Sequence, residues 1–243
     1  MHPAHAALLA DLHRHARPIN PDAVPQNDSY GGSGRPYLNV SAPAMRGVAK
    51  AWLAANKTAG PSEVLAVVES LFGGETHEEK TLAALMLGYA RAARAAATPA
   101  DLDRWLGCVN GWAEVDALCQ NVFQPEDFAR DWPAWRGLIA RLTVDANINK
   151  RRAALVLLNA PVRYSDEARY ADLAFATIAA LKAERPILIT KAVSWLLRTL
   201  TERHRGAVEA YLEAHAASLP AIAVRETRVK LATGTKSGRR RGV

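Results

Sequence analysis

The chain has 243 residues, is 49% hydrophobic and 23% charged, and carries a net charge of +7 with a mean hydropathy of −0.10, a composition that folds as one large core or a short repeat array. Its two cysteines, Cys108 and Cys119, show neither CxxC nor Cys/His spacing, which argues against a disulfide framework or a zinc site and fits a reducing cytoplasm. No apolar run of about 18 residues occurs, and Met1 to Arg17 alternates His, Ala and Leu without the apolar centre of a signal peptide, so neither export nor membrane insertion is expected.

Ala, Leu, Glu, Arg and Lys dominate and alternating β-branched runs are nearly absent, so the chain reads as all-α. A first helix is expected from Pro3 to Ala16, followed by an irregular segment rich in Pro, Gly and Asn to Ala42. Helices then follow in pairs: 43–57 with 61–73, 77–96 with 99–109, 112–123 with 132–142, 147–158 with 167–182, and 186–200 with 204–216, with a last helix near 219–232. The first helices of successive pairs begin 34, 35, 35 and 39 residues apart. That recurrence, without the tetratricopeptide consensus, predicts an α-solenoid of HEAT-like antiparallel helix pairs, whose curvature leaves a concave face for a ligand. Residues 1–232 are read as one HEAT-like domain with the irregular loop 17–42 inside it, and 233–243 as a basic, disordered tail.

Charge is uneven along the chain. Residues 60–131 hold 12 acidic and 5 basic side chains, residues 132–163 hold 6 basic and 1 acidic, and residues 220–243 hold 7 basic and 1 acidic. The basic end is read as solvated, but the basic stretch inside helical pattern points toward an anionic partner. Its centre, Lys150, Arg151 and Arg152, stands near a helix N-terminus, where cations oppose the helix dipole and become favourable if phosphates approach.

Two helices carry unusual side chains away from their core stripes. In 186–200, Ile189, Val193, Leu196, Leu197 and Leu200 share one stripe, while Lys191, Trp195 and Arg198 fall on the opposite side. A Trp between two cations there is either packing against a neighbouring repeat or an aromatic surface for a base or sugar. In 112–123, Val115, Leu118, Cys119 and Val122 form the core stripe, and Trp112 and Asp116 are i, i+4 neighbours on its flank. Asp116 can be a first-turn carboxylate favoured by the dipole, although the adjacent Trp makes it an odd cap. Gly31, Gly32, Ser33 and Gly34 read as a turn, since no Lys-Ser/Thr follows and no strand precedes. The seven histidines contain no HExxH, and no nucleophile triad can be assigned.

In combination these segments resemble the AlkD-type DNA glycosylases of bacterial alkylation repair, a family built from HEAT-like repeats. The resemblance is carried by Tyr30 and the ArgProTyrLeuAsnVal that follows it, with Pro43 and Arg46 beyond. It continues through TrpAlaGluValAsp at 112–116, ArgArgAlaAla at 151–154, LysAlaValSerTrpLeuLeuArg at 191–198, and ArgGluThr with LysLeuAlaThrGly near the end. The resemblance implies that Asp116 is the catalytic carboxylate, that Trp112 and Trp195 flank the deoxyribose of the lesion, and that Arg152 stands beside the DNA. It further implies that Tyr30 is another aromatic contact and that Arg46, Lys191 and Arg198 touch the DNA backbone. The family often carries Asp directly after the first Trp, where this chain has Ala113. The implied activity is hydrolysis of the N-glycosidic bond of cationic N3- or N7-alkylated purines in double-stranded DNA, without base flipping. It is expected of a cytoplasmic monomer that joins the nucleoid when it acts on DNA, with no cofactor, no metal and no membrane. A HEAT-like module that binds DNA or a protein without catalysis is the alternative.

Overall fold

A computed structural model of the protein describes residues 1–19, 32–120 and 122–238, and all regular structure among them is helical. The chain divides into two compact units, Met1–Phe123 and Gln124–Val243. In the first, α1 (Pro3–Arg14) precedes α2 (Ala42–Ala55), α3 (Pro61–Phe72), α4 (His77–Tyr89), α5 (Arg91–Ala96), α6 (Pro99–Leu106) and α7 (Gly111–Cys119). The second holds α8 (Pro125–Arg130), α9 (Trp132–Thr143), α10 (Ile148–Leu157), α11 (Asn159–Tyr164), α12 (Ala168–Leu181), α13 (Ile187–Leu200), α14 (Arg205–His215) and α15 (Ala221–Thr233).

Start signals in the sequence explain many of these boundaries. Ser41 caps α2, whose first turn carries Pro43, and Thr76 with Glu79 forms a reciprocal capping box on α4. Thr98 with Asp101 does the same for α6. Each box pairs amide groups that a helix start otherwise leaves without partners.

Helices that open successive predicted pairs lie side by side, as repeat stacking requires. In the first unit α4 packs against both α2 and α7, and in the second α13 packs against both α10 and α15. The predicted 77–96 helix is broken at Ala90, which leaves helical geometry with φ −88° and ψ 78°, and the predicted 147–158 helix is followed at once by α11. The short α8, between two predicted helices, begins with Pro125 behind a Gln124/Asp127 box. In the predicted glycine turn, Gly32 and Gly34 adopt φ of +65° and +63°, the left-handed region that glycine enters without steric cost.

Apolar side chains fill each unit. Phe72 stacks on Trp105 at 5.4 Å in the first, and Phe128 meets Trp135 at 4.7 Å in the second. The first core also encloses ionisable groups. His5 is 1% exposed, and its ring bridges Ser70 Oγ at 2.9 Å and Glu79 Oε1 at 2.6 Å, fastening α1 to α3 and α4. Lys80, also buried, donates to the carbonyls of Phe72 and Gly74 at the end of α3, and burial pushes its ammonium below the usual lysine value.

Burial by itself would raise the Glu79 carboxyl, but bonds from the Thr76 amide and hydroxyl, from His5 and from the Glu75 amide bring it below its ordinary 4.5. A carboxyl lowered by folding binds fewer protons in the folded state than in the unfolded one. Its stabilisation is therefore complete above pH 4.5 and is lost as pH falls through the folded value. Glu79→Gln is expected to unfold more easily than wild type near neutral pH and to show a shallower loss of stability on acidification, measured by urea denaturation between about pH 3 and 7.

Candidate functional site

α7 begins in an unusual way. Asn110 is extended, and Gly111 takes φ +71°, a left-handed turn that swings the chain into the helix. Val115, Leu118 and Cys119 are fully buried, as the predicted stripe requires. Trp112 and Asp116, one turn apart, are both half-buried. Asp116 thus stands in partial contact with solvent on a helix whose opposite side is locked in the core.

A second acid in the same motif went unremarked in the sequence. Glu114 has a carboxylate with no solvent exposure, and it points away from Trp112 and Asp116. Its Oε2 accepts from the Asn110 amide at 2.8 Å and from Arg35 Nε at 3.3 Å, and its Oε1 lies 3.2 Å from His77 Nδ1. Arg35 extends its other arm to the Cys108 carbonyl at 2.7 Å. Asn110 Nδ2 donates to the Ser33 carbonyl at 2.9 Å, and the Tyr37 ring lies 5.1 Å from the His77 ring. The signal was available: Glu114 adjoins Val115 and precedes Leu118 by four, so helical periodicity puts it on the core side, where an acid must be answered.

Glu78, the neighbour of His77, holds the preceding segment. Its carboxylate accepts from the amides of Leu38 at 2.9 Å and Val40 at 3.2 Å, while the His77 amide donates to the Pro36 carbonyl at 3.1 Å. On α2, Arg46 is exposed, and one turn on, Lys50 sits 5.0 Å over the ring of Tyr89, which is 41% exposed.

In the second unit, Ile189, Val193, Leu196, Leu197 and Leu200 are fully buried, again matching the predicted stripe, and Lys191, Trp195 and Arg198 are half-buried. Arg198 Nε lies 3.3 Å from the Glu226 carboxylate, which also accepts from Ser194 Oγ at 2.7 Å. Burial lowers the Arg198 guanidinium from its usual value, and Glu226 opposes that. Arg152 is 4% exposed and donates to the Leu188 carbonyl at 2.6 Å, joining α10 to the first turn of α13. Lys150 lies 3.7 Å from Asp145, and Arg151 grips Glu184 at 2.7 and 3.2 Å as well as two carbonyls of the preceding loop. Of the cations that suggested approaching phosphates, Lys150 and Arg151 thus have acids of the protein beside them and Arg152 a backbone carbonyl. Tyr30 lies outside the described residues.

A family model described as DNA alkylation repair enzyme matches residues 8–231. The chain belongs to the DNA alkylation repair enzyme family. No curated protein matches the chain. Among solved structures, it is similar to a predicted DNA alkylation repair enzyme from Enterococcus faecalis, with a TM-score of 0.69 and 19% identity over 88% of this chain and 96% of that one, a likeness of fold.

In the first unit the α7 turn carries an acid and an aromatic ring on a fixed helix start, and in the second unit α13 carries Trp195 between Lys191 and Arg198. Among the described residues no group of three or more His, Cys, Asp or Glu is placed to hold a metal, and no disulfide joins Cys108 and Cys119. No described helix is long and apolar enough to cross a membrane. The left-handed turn makes Gly111 hard to replace: Gly111→Ala is expected to lower the stability of the first unit by about 1 to 2 kcal/mol, read from the shift in urea midpoint at unchanged slope.

Proposed function

We propose that the protein is a DNA glycosylase of alkylation repair that hydrolyses the N-glycosidic bond of cationic purines such as 3-methyladenine and 7-methylguanine, leaving an abasic site in duplex DNA. The observation that carries this reading is the half-buried Trp112 and Asp116 pair at an anchored helix start, in a chain of the DNA alkylation repair family.

An N3- or N7-alkylated purine already bears the positive charge that makes it a leaving group. As the bond from C1′ to the base nitrogen breaks, its electron pair moves onto the ring, the base becomes neutral, and positive charge builds on the sugar. An ionised Asp116 stabilises that charge and orients a water toward C1′. The new bond forms between the water oxygen and C1′, and the water's proton passes to the carboxylate and on to solvent. Trp112, one helical turn from Asp116, interacts through its face with the cation, and Trp195 is a further aromatic contact for DNA. Tyr30, Arg46, Lys191 and Arg198 are DNA contacts, whereas Arg152, 4% exposed on the Leu188 carbonyl, acts through the start of α13. Electrostatic stabilisation of this kind needs no general acid, so the base can leave without being drawn into a pocket.

Asp116→Asn is expected to bind alkylated duplex as wild type does while losing about 10²- to 10³-fold in the rate of 7-methylguanine release, measured as abasic-site cleavage under single-turnover conditions. Undiminished release by that variant overturns the role of Asp116.

One observation favours a second reading. Arg198, Lys150 and Arg151 lie beside protein carboxylates, as they would in a helical scaffold for a protein partner. The two readings part on salt. DNA binding through phosphates weakens with salt, the logarithm of the association constant falling linearly against log salt with a slope near −0.9 per phosphate neutralised, and an apparent slope of at least about three phosphates is expected here. Affinity for duplex that does not change between 50 and 200 mM salt, on the order of the range where the effect is large, selects the scaffold.

A further inference from the structure

The α7 turn is held on both sides by one side chain. Arg35 donates through Nη2 to the carbonyl of Cys108, before the Gly111 bend, and through Nε to the carboxylate of Glu114, after it. Glu114 in turn closes on the Asn110 amide, so the stretch from Cys108 to Glu114 forms a ring of bonds around a glycine of positive φ. His77 holds the remaining oxygen of Glu114, and its other ring nitrogen meets Thr81 Oγ1 at 3.3 Å, tying the ring to α4. Asn110 adds a bond to Ser33. Trp112 follows the bend directly, and Asp116 comes one helical turn later.

A glycine at a helix start is a hinge unless the residues around it are fixed. Without Arg35 and Glu114, the bend could relax while the buried Val115, Leu118 and Cys119 kept the rest of α7 in the core. The ring of Trp112, before Val115, would then shift relative to the Asp116 carboxylate with little change in the fold.

We propose that Arg35 and Glu114 form a clamp across the Gly111 bend and are positioning residues that hold Trp112 against Asp116, acting on the rate of base release and not on DNA affinity. The proposal rests on the excision reading above. Neither residue needs to touch the substrate. Glu114 is enclosed, and Arg35 has both arms of its guanidinium bound to protein.

The test uses full-length Glu114→Gln, Arg35→Gln and the double variant beside wild type and Asp116→Asn. Single-turnover release of 7-methylguanine, affinity for the same duplex and hydrogen exchange of the 108–114 amides are measured. Each single variant is expected to release base about tenfold or more slowly, since a displacement of about 1 Å can cost up to a hundredfold, with Kd within about twofold of wild type. The 108–114 amides exchange faster while the rest of the first unit is unchanged. The double variant is no slower than the slower single one, because both residues serve one clamp. Arg35→Lys keeps a charge against Glu114 but cannot span both partners, so it is expected to fold and still to lose rate.

A wild-type rate in Glu114→Gln or Arg35→Lys overturns the proposal. So does a rate loss that multiplies in the double variant and comes with faster exchange throughout the first unit, the signature of general loosening. Wild-type protein that releases no base overturns the excision reading instead. In that event, faster exchange confined to 108–114 retains the clamp, and unchanged exchange there removes it.

Discussion

Irregular backbone in an all-helical protein has no sheet ladder to join, and its amide groups must find partners elsewhere. In the first unit carboxylates near helix starts take that role. Glu78 receives the amides of Leu38 and Val40, Glu79 those of Glu75 and Thr76, and Glu114 that of Asn110. Each acid stands close to the positive end of a helix dipole, where ionisation is favoured, and each is matched by a donor from another element. The acidic character of residues 60–131 is therefore largely structural. It sews the connections to the helices, and α7 is fixed in place as one consequence.

The same economy governs the basic stretch of the second unit. Read along the chain, Lys150, Arg151 and Arg152 are three cations within a helix start, and nothing nearby in sequence explains them beyond Asp145. Folding brings Glu184 to Arg151 and the Leu188 carbonyl to Arg152, and on α13 it brings Glu226 to Arg198. Partners about 30 residues away are invisible to a local reading of charge. Net charge consequently overstates how much basic surface is available to phosphates. Exposed cations such as Arg46, Arg225 and Arg228 are the better measure.

Much of the fold was legible because helix patterning is local. The core stripes of α7 and α13 were readable from spacing alone, and the recurrence of helix starts anticipated how α2, α4 and α7 stack in one unit and α10 and α13 in the other. The break at Ala90 was not legible. No Pro marks it, and Gly88, two residues earlier, stays helical and accepts from the buried Arg94 just beyond, so the local sequence carries no clear stop signal at Ala90. α8 had its signals in Pro125 and Asp127, but at six residues it was too short to show a period. At the site, Trp112 and Asp116 stood out because they break the stripe. Glu114 did not, because its partners Arg35 and His77 lie 79 and 37 residues away.

Burying a charged pair is costly compared with apolar packing of the same volume, so the enclosure of Glu114 beside Arg35 asks for a reason other than stability. The chemistry of a cationic leaving group supplies one. Little proton donation is required, and most of the work is stabilising charge on the sugar, which depends on distance. At an effective dielectric of about 20, two unit charges at 4 Å interact by roughly 4 kcal/mol, and at 5 Å by about 0.8 kcal/mol less, close to a fourfold change in rate. The buried Val115 and Leu118 hold Asp116, whereas Trp112, directly after a left-handed glycine, is exposed to displacements of that size. Reorganisation at such a hinge would consume the advantage of a preformed charge, which lies in needing no movement when the bond breaks. A clamp that spans the glycine from Cys108 to Glu114 removes that freedom at its source, and it does so from the side of the helix that faces away from the substrate.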